Sequence, residues 1–560
     1  MSARVLVIGL DGATPELVER WVGDGKLPNL SRMMTRGVYG TLKSTYPPIS
    51  PAAWTTFATG YNPGKHGTYD FRNYDPRRYG CFADTIVDSR PMAGKTIWDL
   101  VGLSGGKVGV VTVPVTYPVW RVNGFMVSGY PTPDAARSFA YPPDWGQRIP
   151  PLTEDSTFFK SASHEQVLNE LIRITRLRTD VSADELRKDD YALFIMVIGA
   201  TDRAHHDWWK YIDPAHPAYD AQEAAKYGDY ILRVYETADD CIGELLDAVD
   251  DETTTIVLSD HGGMAHPAYY FNTNAWLRDL GLLCPSANTS GQRRPWQALM
   301  STVKRQYRSR VRALPYLERI YRRLPSRLRR FATEFDARAM MNTDAIDWEH
   351  TKAYRFPMYP PVEGVMINVA RRQPAGCVAP GDEYEALRTR ILAEARSVRD
   401  PRTGEPVVVE AYRREELYHG DRLETAPDLI LVTRDCYKGG VGVETLVEQV
   451  PREVLSKLSG VHRMDGIILA QGPHLRHNTT IEGARIVDVA PTILHLLGLA
   501  IPEDMDGKPL TEIFDEATLA HSAAQYTSAR AHGDLASDMA GYTPEEEETV
   551  RIKLEGLGYL

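Results

Sequence analysis

Residues 1–12 read MSARVLVIGLDG. The apolar run Val5–Leu10 stops at Asp11-Gly12, with no small-residue cleavage site after it. It therefore reads as a first β-strand that presents a carboxylate at its C-terminal end, not as a signal peptide. The pattern recurs along the chain. Ala192–Ile198 leads to Asp202 and, four residues on, His206; Thr254–Leu258 leads to Asp260-His261. Val108–Val113, Leu429–Val432 and Ile467–Ala470 are further short β-branched runs, read here as buried parallel strands. Stretches with helical period, such as Tyr230–Val249, lie between them. Strands alternating with helices predict an α/β fold: a doubly wound, mostly parallel sheet with helices on both faces.

Open α/β sheets bind their ligands at the carboxyl ends of strands. Three such ends here carry oxygen or nitrogen donors: Asp11, the Asp202/His206 pair and Asp260-His261. If Asp202 opens a helix, His206 faces the same way one turn later. His205 is its neighbour and a rival, but the four-residue spacing favours His206. Mixed carboxylate and imidazole donors suit borderline divalent metals such as zinc or manganese. Taken singly, each of these residues could be a turn, a cap or a surface group.

Residues 46–60 read YPPISPAAWTTFATG. Pro51 suits a first helical position, which would make Ser50 the N-cap. A serine hydroxyl there feels the helix dipole and can touch a metal, and both effects favour the alkoxide of a nucleophile.

Composition sets outer limits. The 560 residues exceed one ordinary domain, and 64 basic against 75 acidic residues leave a net charge of −11. That balance argues against a protein built as a whole around nucleic acid. No apolar stretch approaches 18 residues, so no transmembrane helix is expected. Five scattered cysteines (81, 241, 284, 377 and 436) with no CxxC pair suggest reduced thiols and a cytoplasmic setting.

The strand signals vanish between about residues 286 and 345. Thirteen Lys or Arg fall between Arg293 and Arg330, against Glu318 as the one acid. This reads as a basic helical cap inserted between two parts of a catalytic core, 1–285 and 346–515. A solvated face, a lid recruiting an anionic substrate, or peripheral contact with a membrane or anionic polymer would each account for it. Residues 516–560 form a tail. Its end, from Tyr542, predicts a helix with Thr543 as N-cap, Pro544 first in the helix, and glutamates at the positive end of the dipole.

The ordered set of motifs resembles the type I phosphodiesterase/nucleotide pyrophosphatase branch of the alkaline phosphatase superfamily, and within it the predicted phosphohydrolase/phosphomutase group. The matching stretches are IGLDG (8–12), SPAAWTTFATGYNPGKHG (50–67), ATDRAHH (200–206), SDHGG (259–263) and GVHRMDG (460–466), followed by VDVAPTILHLLGL and IPEDMDG within 487–507. The resemblance implies an alkaline-phosphatase-like fold and two divalent metals, zinc or manganese. One metal would be held by Asp202, His206 and His462. The other would be held by Asp11, Asp260 and His261, with the Ser50 oxygen bound to it. It further implies hydrolysis of an anionic phosphate ester through a phosphoseryl intermediate. A phosphomutase, or an idle member that binds an anionic partner, are the alternatives. Nucleotide pyrophosphatases usually carry a threonine nucleophile and a downstream asparagine that holds a phosphoryl oxygen. Here the nucleophile position is serine, and Pro51-Ala52-Ala53 supplies no amide. The formylglycine signature of sulfatases is missing at Ser50–Ala53.

Overall fold

Alternate side chains of the Arg4–Leu10 strand enter two different cores. Val5 and Val7 pack with Leu193, Ile195, Val197, Ile256 and Leu258. Leu6, Ile8 and Leu10 pack with Phe194, Met196, Ile198 and Val257 on the other face. A strand buried on both sides has no polar face to alternate with, so its run is continuously apolar. This is a computed structural model, and it describes residues 4–133, 138–149, 162–286, 343–521, 523–528, 539–557 and 559.

The central sheet has nine strands. In spatial order they are Thr479–Arg485, Val38–Lys43, Asp465–Gln471, Thr253–Leu258, Arg4–Leu10, Leu193–Ile198, Val108–Val111, Gly124–Val127 and Ala140–Tyr141. Asp465–Gln471 and Ala140–Tyr141 run against the rest; every other pairing among the strands is parallel. Trp54 and Phe57 of helix Ser50–Thr59, Trp98 of Ile97–Leu103 and Ile493 of Val489–Leu496 fill the first core. Trp208 of Ala200–Ile212 and Tyr235 of Tyr230–Leu246 fill the second. The fold is α/β, with a mostly parallel sheet covered on both faces.

Two apolar runs differ from the expectation of buried parallel strands. Ile467–Ala470 lies in the central sheet but runs antiparallel to both neighbours. Leu429–Val432 belongs to a separate antiparallel sheet, ordered Ala353–Phe356, Val362–Ile367, Leu429–Thr433, Val408–Arg413. An unbroken apolar run reports burial on both faces. Its direction depends on the connections at its ends, which periodicity does not encode. Apart from Ser286 and residues 343–345, the basic segment lies outside the described residues. Among the described residues no helix is long and apolar enough to cross a membrane.

The C-terminal helix Pro544–Leu557 starts with a capping box between Thr543 and Glu546. It buries Val550 and Leu554 completely, against Ile49, Ala52, Phe71 and Ile86. Each of these side chains contributes about 1.5–3 kcal/mol. That contact places this helix beside the start of helix Ser50–Thr59.

Candidate active site

The carboxyl ends of three adjacent central strands bring their donors together. Asp11 follows strand Arg4–Leu10, and Asp260-His261 follows its neighbour Thr253–Leu258. Asp202 lies in the first turn of helix Ala200–Ile212, directly after the other neighbouring strand. His206 follows one turn later, with Nε2 3.2 Å from Asp202 Oδ2. His462 arrives by a different device. Strand Gly460–Arg463 pairs antiparallel with Gly262–Ala265, which sets His462 opposite Gly263.

Ser50 is the first residue of its helix, one position inside the N-cap expected for it; Ile49 is the cap. The hydroxyl still sits at the positive end of a ten-residue helix. Its Oγ is 3.2 Å from His261 Nε2 and 3.5 Å from Asp11 Oδ1. Asp11 also accepts a 3.0 Å hydrogen bond from Trp54 Nε1 of the same helix. Gly12 turns the chain here at φ +73°, and its N–H donates to Asp260 Oδ1 at 3.2 Å. A Cβ on Gly12 would stand 3.1 Å from the Asp202 Cα and 2.9 Å from its Oδ1. Gly12→Ala is therefore expected to cost about 1–3 kcal/mol through backbone strain and to displace Asp202. Denaturant unfolding and metal content would both register it.

Each of the three imidazoles turns its Nδ1 to a backbone carbonyl. Nδ1 of His206 faces the Gly460 carbonyl at 2.7 Å, Nδ1 of His462 faces that of Pro48 at 2.9 Å, and Nδ1 of His261 faces that of Gly262 at 3.1 Å. With Nδ1 turned to a carbonyl in each, all three Nε2 atoms converge on the carboxylates. The His206 and His462 Nε2 atoms lie 3.2 Å apart. Asp260 Oδ2 is buried and lacks a hydrogen-bond partner, 3.2 Å from His261 Nε2.

Electrostatics point the same way. Burial, then the Asp202 charge, raises the Asp11 carboxyl far above the ordinary carboxylate range. Burial, with Asp11 and Asp202 nearby, raises Asp260 as well. Burial opposes ionisation of Asp202 too, but His206 and His462 outweigh it and hold that carboxyl low. Burial also depresses His261 and His462. Converging carboxylate and imidazole atoms are a donor set that fits divalent cations. The donor atoms of Asp11, Asp260 and His261 lie within 4.8 Å of one another, as do those of Asp202, His261 and His462. His261 thus stands between two potential cation positions.

Several histidines and cations lie elsewhere. His205 is hydrogen-bonded to the Tyr235 hydroxyl at 3.1 Å and stacks on its ring, away from the cluster. His66 ties Thr56 to Thr68. Lys65 pairs with Asp506, and Arg463 with Glu16. The pocket over Ser50 is lined by Asp202 and His206 and also by Arg178, Arg203, Lys553 and Tyr559. Sequence reasoning missed these last four. Arg178 lies in no motif and Arg203 is an unremarked position within ATDRAHH; Lys553 is on a helix readable only as a docking element, and Tyr559 lies just past its end.

The family model described as type I phosphodiesterase/nucleotide pyrophosphatase matches residues 5–438. Among curated proteins, a 2,3-bisphosphoglycerate-independent phosphoglycerate mutase from Shewanella sp. (strain ANA-3) is 55% identical over 38 residues, 7% of this chain and 7% of the mutase. Among solved structures, an inactive murine ectonucleotide pyrophosphatase/phosphodiesterase 5 in complex with AMP is 14% identical, with TM-score 0.43, covering 89% of this chain and 96% of that one. The human ectonucleotide pyrophosphatase/phosphodiesterase 5 is 13% identical, with TM-score 0.43, covering 91% and 100%. With the family model spanning most of its length, the chain belongs to the type I phosphodiesterase/nucleotide pyrophosphatase family.

Proposed function

We propose that this protein hydrolyses phosphate esters, diesters above all, with Ser50 as nucleophile. The observation that carries this reading is the Ser50 hydroxyl at a helix start, 3.2 Å from His261 Nε2, beside a buried carboxylate oxygen of Asp260 that has no hydrogen-bond partner. Asp202, His206 and His462 would hold one divalent metal, and Asp11, Asp260 and His261 the other, with the Ser50 oxygen on the second. Zinc and manganese both suit these donors. Such metals supply Lewis acidity and lower the pKa of a bound hydroxyl or water.

Ser50 Oγ attacks phosphorus in line and forms the new P–O bond. The bond to the departing alkoxide breaks, and that oxygen takes up a proton. Water then attacks the phosphoseryl group, freeing Ser50 and a phosphate monoester. The helix start orients Oγ, and the buried walls limit competing water. A mutase, returning the phosphoryl group to substrate, is the second reading; the 38-residue match to a phosphoglycerate mutase favours it. The five cysteines, all free, support a cytoplasmic setting.

Metal analysis followed by a panel of phosphodiesters, monoesters and nucleotides tests the reading. Two equivalents of metal are expected, with diester turnover lost to a chelator and restored by zinc or manganese. Metal-free protein, inert on the whole panel after zinc or manganese is added, would overturn it. Phosphoryl return to an acceptor alcohol in place of water would select the mutase.

A further inference from the structure

The Tyr559 hydroxyl reaches into the donor cluster. It lies 3.0 Å from His206 Nε2, 3.2 Å from Asp202 Oδ2 and 3.4 Å from His462 Nε2. Those three residues are themselves separated by similar distances: 3.2 Å between His206 and Asp202 Oδ2, 3.2 Å between the two imidazoles, and 3.3 Å between His462 and Asp202 Oδ1. A tetrahedral zinc site with metal–ligand bonds of about 2.0–2.1 Å has corners about 3.3–3.4 Å apart. Six separations of 3.0–3.4 Å thus outline a tetrahedron, with Asp202 presenting both oxygens along one corner. Three protein ligands with an open fourth position is the usual form of a catalytic zinc site. The phenol oxygen stands at that fourth corner.

The tail that delivers it is anchored at several points. The Tyr559 N–H donates to the Leu554 carbonyl at 3.0 Å, which turns the chain end back over its own helix. The ring packs on Phe71 with centroids 4.7 Å apart. Lys553 Nζ donates to the Thr132 carbonyl at 2.7 Å, and Tyr117 donates to Glu546 at 2.6 Å. With Val550 and Leu554 fully buried, the helix holds the phenol in register with the cluster.

We propose that Tyr559 is the resident fourth ligand of the Asp202, His206 and His462 metal site, in the position that a water or a phosphoryl oxygen takes during turnover. The tail residue Tyr559 is then part of the active site. A phosphate group binds there by displacing the phenol oxygen from that position. This rests on the two-metal reading of the site given above.

The test uses the full-length protein loaded with copper(II), whose bond to a phenolate oxygen gives an intense visible charge-transfer band. Y559F is expected to keep both metal equivalents, lose that band, and bind inorganic phosphate about tenfold more tightly, because phosphate no longer competes with a resident occupant. A chain ending at Leu557 should behave as Y559F does. An unchanged spectrum and unchanged phosphate affinity in Y559F would overturn the proposal. Weaker phosphate binding would overturn it too, since the phenol would then be a donor to the phosphoryl group. Wild-type protein that takes up no metal would instead bring down the two-metal reading itself. The two failures are therefore distinguishable.

Discussion

Replacing Ser50 by alanine is expected to lower turnover by about 10⁴-fold or more, while both metal equivalents stay in place. The Ser50 hydroxyl stands at a helix start and faces His261 Nε2 (3.2 Å) and Asp11 Oδ1 (3.5 Å). Alanine keeps the helix former and removes only the attacking atom, so Pro51, Ala52 and Trp54 have no reason to move. The Trp54 hydrogen bond that orients Asp11 is independent of Ser50. Metal content should change little, because Asp11, Asp260 and His261 retain their donors. Acid quenching during turnover of a diester should trap a phosphoseryl enzyme in the wild type and none in S50A. Ser50→Thr, which keeps a hydroxyl, should retain far more activity than Ser50→Ala. An S50A protein working at even one-hundredth of the wild-type rate would sink the nucleophile assignment.

The strand-end residues were legible in the sequence because short-range patterns carry them. An apolar run breaking into Asp11-Gly12 or Asp260-His261, and an Asp–His pair four apart, each imply a local geometry that the surrounding sequence then enforces. Grouping them was harder. His462 lies about 200 residues from Asp260-His261, and the ribbon that brings them together is a long-range pairing of two four-residue strands. Only the resemblance to a family pointed to His462. Strand direction was not legible for Leu429–Val432 or Ile467–Ala470, since burial on both faces looks the same in either direction. Ser50 was misplaced by one position, because a proline suits both the first and second helical residues. Tyr559 was invisible for a different reason. The capped helix before it was readable from Thr543, Pro544 and the glutamates, but nothing local to an aromatic near a chain end says which surface it meets.

The sharpest check on how the donors divide comes from His462→Ala. It is expected to reduce bound metal from two equivalents to one and to weaken the affected site more than about a hundredfold, since even groups one shell out from a metal cost ten- to a hundredfold when removed. His462 is completely buried, with Nδ1 held by the Pro48 carbonyl and Nε2 aimed at Asp202 Oδ1, 3.3 Å away. Its loss removes one donor and also a partner that keeps Asp202 ionised. Asp202→Asn should deplete the same metal, because it removes charge at the same corner. His261→Ala should behave differently: His261 stands near both clusters, its ring stacked on His462 with centroids 3.7 Å apart. Loss of that ring is expected to disturb the Asp11–Asp260 position first and the other through the lost stacking. Titrating zinc into each metal-free variant by calorimetry would separate the cases. One missing binding event shared by H462A and D202N supports the division of donors. Two intact events in both would mean that these residues hold no metal, and that the cation positions lie on the Asp11, Asp260 and His261 side alone.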